Sequence, residues 1–75
     1  MSRRYLPREV ERIAIHLGWE FSHYHGDHAI FRKVGSPSLS VPENRQELAR
    51  GTLGSIIRAM GLTRREFDRI AEEVL

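Results

Sequence analysis

The chain contains no cysteine. That excludes a disulfide staple and a thiolate metal site, and nothing in the cysteine usage points to an oxidising compartment. No apolar run approaches the ~18 residues of a membrane-spanning helix. The start, "MSRRYLPRE", is basic and lacks the apolar stretch of a secretory signal. There is no internal repeat and no low-complexity segment. These absences leave a soluble cytoplasmic protein as the expectation. At 75 residues the chain is expected to form a single domain over 1–75. A domain this small buries only about 60% of its unfolded surface, and its core rarely supplies more than ~3–5 kcal/mol net.

Lysine is also scarce: eleven of the twelve cationic residues are arginine. The formal charge of +2 hides an asymmetry. The last ten residues, "EFDRIAEEVL", hold four acids and one base, so −3, and the other 65 must carry +5. Arginine offers a planar fork that matches phosphate and stacks on bases. A basic body suits an anionic partner, nucleic acid first among them, although genome bias or a heat-adapted source also enriches arginine.

Residues 7 to 17, "PREVERIAIHL", predict a helix. Pro7 suits the first helical position, and Glu9 and Glu11 fall in the first turns, where acids are favourable. Val10, Ile13, Ala14 and Leu17 make one apolar stripe, with His16 off it in solvent, and Gly18 is placed to end the helix. Residues 19 to 25, "WEFSHYH", alternate like a half-buried strand. Gly26-Asp27 is a turn pair compatible with a type II′ hairpin, and 28 to 34, "HAIFRKV", is the return strand. "LSVP" at 39 to 42 reads as a third strand. The stretch "ENRQELAR" reads as polar and irregular, with one helical turn expected within it. Leu53, Ile56, Ile57 and Met60 then mark a second helix ending at Gly61, and Gly54 inside it suggests a close backbone approach. Thr63-Arg-Arg-Glu66 is a capping box for a third helix, buried through Phe67, Ile70, Ala71 and Val74, with Leu62 stapling onto Phe67. The order α-β-β-β-α-α predicts an α+β fold. Its three-stranded antiparallel sheet has helices on one face and leaves the other face open.

The chemistry-bearing residues cluster in "HYHGDH". His23 and His25 share a strand face, and a two-residue turn puts His28 opposite His25 on that face. Three readings follow: a zinc site of three imidazoles, solvated strand histidines beside a turn, or catalysis by one histidine. No carboxylate or thiolate stands at an established metal-ligand spacing. The aromatics Trp19, Phe21 and Phe31 read more readily as core than as base-stacking platforms, while Tyr24 near the turn could stack on a base. A two-residue turn puts Trp19, Phe21 and the histidines on one face, and a bulge would separate them.

Three anchors occur in order. Gly18-Trp19 follows an amphipathic helix. Gly26-Asp27-His28 precedes Ile30-Phe31-Arg32-Lys33. Val41-Pro42 ends a strand ahead of Gly51-Thr52-Leu53 and "SIIRAMGLT". Together, at these spacings, they resemble the HicA family of toxin–antitoxin mRNA interferases. The resemblance implies a fold like the double-stranded-RNA-binding domain. It implies endoribonuclease cleavage of mRNA with no metal or cofactor, and a HicB-type antitoxin as partner, with a homodimer or a heterotetramer with the antitoxin among the assemblies to expect. The family's catalytic histidine, in Gly-Ser-His, maps onto His28. Asp27 stands where the family usually has serine, and can orient the imidazole and favour its charged form, or serve the turn only, the commoner role.

RNA supplies its own nucleophile, the 2′-OH, so the protein needs to remove that proton, hold the phosphate in line and stabilise developing charge. The group that protonates the leaving oxygen is not named by the sequence: His25 is nearest, then His23 or Lys33. Gly26 and Tyr24 at the turn, and Arg32 and Lys33 beyond His28, are expected to touch RNA, and only one of those two cations can share the His28 face. Arg50-Gly51-Thr52 opens the second helix, where free N–H groups suit a phosphate, or else forms a plain N-cap. Arg58, Arg64, Arg65 and Arg69 read as a solvated helix face. Beside the ribonuclease toxin stand a non-catalytic RNA-binding module of the same shape and a zinc-binding hairpin protein.

Overall fold

A computed structural model describes residues 3–44 and 46–75. Met1 and Ser2, of the basic start, and Arg45, of the irregular stretch, lie outside the described residues. The elements are α1 (Pro7–His16), β1 (Glu20–His25), β2 (His28–Arg32), β3 (Leu39–Pro42), α2 (Arg50–Ala59) and α3 (Arg64–Val74). The α+β order α-β-β-β-α-α is as the periodicity predicts, consistent with a fold like the double-stranded-RNA-binding domain. Among the described residues no helix is long and apolar enough to cross a membrane.

The helix ends follow from local chemistry. Pro7 opens α1, and Glu9 Oε1 accepts from Leu6 N at 2.8 Å. Gly18 adopts φ 103°, which lets Trp19 N donate back to Ala14 O at 3.0 Å. Thr63 Oγ1 accepts from Glu66 N while Glu66 Oε1 accepts from Thr63 N, so the capping box closes in both directions. These bonds to Thr63 also hold the Glu66 carboxyl below its usual range.

The sheet order is β1-β2-β3, both pairs antiparallel. Ala29 and Phe31 of β2 and Leu39 and Val41 of β3 are buried against the helices. They join Val10, Ile13 and Ala14 of α1, Leu53, Ile56 and Ile57 of α2, and Phe67 and Ala71 of α3 in one core. Tyr5, ahead of α1, is fully buried, edge-on to Phe67 at 5.0 Å, and its hydroxyl donates to Asp68 Oδ1 at 2.6 Å. Burial first, and then that carboxylate, push the Tyr5 hydroxyl up to about 12.

Four local expectations are corrected. The return strand ends at Arg32 rather than 34, because Lys33 turns away to place its ammonium on Leu17 O at 2.7 Å and over the Trp19 ring at 4.6 Å. The described residues of 43–49 form no helical turn; Leu48 is instead pinned by its N–H on Tyr5 O at 2.8 Å. Gly54 admits no close backbone, since a Cβ there would meet only Arg58 Nη1, at 3.4 Å. Phe21 is half exposed rather than core, because β1 is an edge strand that stays exposed along its whole length.

Candidate active site

The hairpin turn fixes the site. Gly26 has φ 60°, and among the described residues only glycines have positive φ, so Asp27 does not. A positive first and negative second turn residue is the type II′ pattern, whose twist matches the strands it joins. Directly before and after it, His25 and His28 are cross-strand partners. Paired residues share a face, and such Cα atoms stand roughly 4.5–5.5 Å apart.

A bulge then decides the phase. The register shifts between Phe21 and His23, so Phe21 pairs with Phe31 and Tyr24 with Ala29, while His23 pairs with Ile30. Phe31 and Ala29 face the helices. Phe21 and Tyr24 therefore lie on the helix side of the edge strand, with ring centroids 4.9 Å apart. His23, His25, His28, Ile30 and Arg32 lie on the other, helix-free face, with Ser40 and Pro42 of β3 beside them. Of the two bulge alternatives, the structure takes the one that separates aromatics from imidazoles.

His28 is the best-supported of the histidines. Its Nδ1 is 3.0 Å from Asp27 Oδ1. A proton on Nδ1 directed at that carboxylate leaves the Nε2 lone pair free to accept a proton from a substrate. The pair is open to solvent, with side-chain exposures of 43% for His28 and 86% for Asp27, so it orients more than it stabilises. His28 is also opposite Pro42 of β3, and Glu43 N donates to Asp27 O at 2.7 Å, which clamps the turn from the third strand. His23 is occupied differently, its Nδ1 2.9 Å from Ser22 Oγ. Although the three imidazoles share a face, no group of three His, Asp or Glu among the described residues is placed to hold a metal ion.

The remaining expected contacts are divided. Gly26 and Arg32 accompany His28, Gly26 in the turn and Arg32 on the same strand face. Lys33 is engaged with Leu17 and Trp19, and Tyr24 is on the opposite face. Arg50, Gly51 and Thr52 form the first turn of α2. The N-cap is Ala49, which supplies no side-chain bond, and no acid stands in that turn. The N–H groups of this turn are thus uncapped. Only residues 43–49 separate Pro42, the partner of His28, from α2, a connection that spans at most roughly 25 Å.

Sequence reasoning missed the Glu43 clamp and the pairing of Glu43 with Glu11. Burial first, and then the neighbouring Glu43 carboxyl, push Glu11 up to about 7, and its Oε2 is buried with no hydrogen-bond partner among the described residues. No spacing signals this contact, because the packing of α1 against the end of β3 brings the two acids together.

Residues 7–62 match the family model for the HicA toxin of bacterial toxin–antitoxin systems. The chain belongs to the HicA toxin family. The match runs from the first residue of α1 past the end of α2, and so contains the hairpin and the first turn of α2. No curated protein matches the chain.

Proposed function

We propose that this HicA-family toxin is an endoribonuclease that cleaves mRNA at the hairpin face, with His28 as the catalytic group. The observation that carries the reading is the His28 ring itself, oriented through Nδ1 by Asp27 and facing His25 on an open sheet face within a HicA sequence match.

The chemistry needs little from the protein. His28 Nε2 takes the proton of a ribose 2′-OH, and that oxygen attacks the adjacent phosphorus. The bond to the 5′-oxygen of the next nucleotide breaks, and the leaving oxygen takes a proton, leaving a 2′,3′-cyclic phosphate. His25, across the strand pair, is the group best located to give that proton. Arg32 is on the same face four residues along β2 from His28, about 13 Å away, where a guanidinium can hold a neighbouring phosphate of the chain. No electron transfer is involved, and none of these steps draws on a cofactor.

The partner in this reading is an acidic HicB-type antitoxin that covers the histidine face. The test is cleavage of a labelled single-stranded RNA by purified protein with excess chelator, beside His28→Ala. The parent is expected to cleave and the variant to lose at least ~10²-fold in rate with its fold intact. RNA bound but uncut by the parent would instead identify a non-catalytic binding module. Full activity in His28→Ala would remove His28 from the mechanism.

A further inference from the structure

Away from the hairpin, two depressions on the helical side share Arg50 and Arg64. One is lined by Arg3, Arg4, Leu48, Arg50, Leu53 and Arg64. The other continues along α2 past Gly51, Gly54 and Arg58 to Thr63. Five guanidinium groups from three chain segments thus border two adjoining depressions, which together make one basic groove across Arg50 and Arg64. Solvated helix surface, the reading Arg58 and Arg64 take from sequence alone, does not account for the convergence.

Two of the five are fixed in place. Arg64 Nε binds Asp68 Oδ1 at 3.0 Å, and its Nη2 donates to Arg3 O. Arg3 Nη2 is 3.7 Å from Glu9 Oε2, and both arginines lie over the Tyr5 ring, at 4.8 and 5.6 Å. Arg4, Arg50 and Arg58 pair with no carboxylate among the described residues. Five cations against two acids leave the groove strongly positive. The charges also form a row rather than a point. Arg50 and Arg58 are eight residues apart on one helix, about 12 Å along its axis. A lone carboxylate or free phosphate fills one end of such a row, whereas a chain with an anion at every unit fills it all. Between the arginines the floor is bare. A Cβ at Gly51 would meet nothing within 4 Å, and at Gly54 only the mobile end of Arg58.

We propose that this groove is a track for the phosphodiester backbone of the RNA, on the helical side of the fold and apart from the face that carries His28. The substrate class rests on the ribonuclease reading. The track's role is to hold RNA, so its loss raises KM and leaves kcat unchanged.

The experiment measures binding of the native protein to a labelled RNA bearing 2′-O-methyl groups, which cannot supply the nucleophile, across a salt series. Arg50→Gln and Arg58→Gln are each expected to reduce the slope of log K against log salt by about 0.7, and Arg50→Lys to restore it. Arg69→Gln, on the exposed side of α3, is the control and is expected to leave the slope unchanged. A slope unaltered in both groove variants, or reduced equally by Arg69→Gln, would overturn the track while cleavage of unmodified RNA still supports the ribonuclease reading. Groove variants that lose antitoxin binding and keep RNA binding would assign the arginines to the protein partner, and also overturn it. A native protein that neither binds nor cuts RNA would remove both proposals. Slope loss without any cleavage would keep the track and remove the ribonuclease reading.

Discussion

His25 and His28 are cross-strand partners on either side of a two-residue turn, on the one sheet face that carries no helix. Two imidazoles in that relation can divide a phosphoryl transfer between them, one as base and one as acid. The prediction separates their roles. His25→Ala is expected to lower kcat by ~10²-fold, leave KM nearly unchanged and remove one limb of a bell-shaped pH–rate profile. A profile with both limbs intact would show that the acid lies elsewhere, with His23 the next residue on that face.

Asp27 is expected to matter less than its 3.0 Å contact with His28 suggests. Its carboxylate is largely in water, and an exposed pair is screened. Asp27→Asn keeps a side-chain oxygen for Nδ1–H to bond, so the ring keeps its orientation. A loss of kcat of about tenfold or less is therefore expected, with the same KM. A loss as large as that of His28→Ala would make the charge of Asp27, rather than its geometry, part of the catalysis.

Much of this arrangement was legible in the residues. The α1 stripe, the Gly26-Asp27 turn and the Thr63–Glu66 box each carry their own local chemistry, and each stands where that chemistry puts it. The face shared by His25 and His28 follows from a two-residue turn alone. The fate of Phe21 depends on the bulge at Ser22, which no residue type announces, so its side of the sheet could be stated only as an alternative. Lys33 reads as an RNA contact because a cation after a strand looks free, and its capture by Leu17 O and Trp19 needs the return of the sheet onto α1. Arg64 reads as surface for the same reason: its partners Arg3 and Tyr5 are some sixty residues away in the chain.

Gly54 lies inside α2 with helical backbone and room for a methyl group. Alanine there is expected to stabilise the helix by roughly 0.5–1 kcal/mol, a rise in Tm of about 2–8 °C for a domain of this size. If RNA backbone runs over that glycine, the same substitution weakens RNA binding. Thermal melting and the salt-series titration on one Gly54→Ala sample read both effects. Gain of stability with unchanged binding would mean that nothing approaches the helix there.

Glu11 and Glu43 make the stability of the fold depend on pH in an unusual direction. Burial and its neighbour raise Glu11 from its ordinary 4.5 to about 7, so the folded protein holds a proton that the unfolded chain has already released. Below about pH 4.5 both states are protonated and the fold carries no penalty. As pH rises from there to about 7 the unfolded state alone loses the proton, and stability falls. Above 7 the Glu11 carboxylate is charged in the folded protein as well, with its Oε2 buried, and the penalty is complete. Glu11→Gln, which keeps the shape and can donate to Glu43, is expected to raise stability at pH 8 and to flatten the decline between pH 4.5 and 7. Because the pair is partly in water the gain is discounted to about 1 kcal/mol. Denaturant titrations of the two proteins at pH 4, 6 and 8 measure it. A variant less stable than the parent at pH 8 would mean that the Glu11 charge is compensated, with Arg8, which lines the same depression, a source to test.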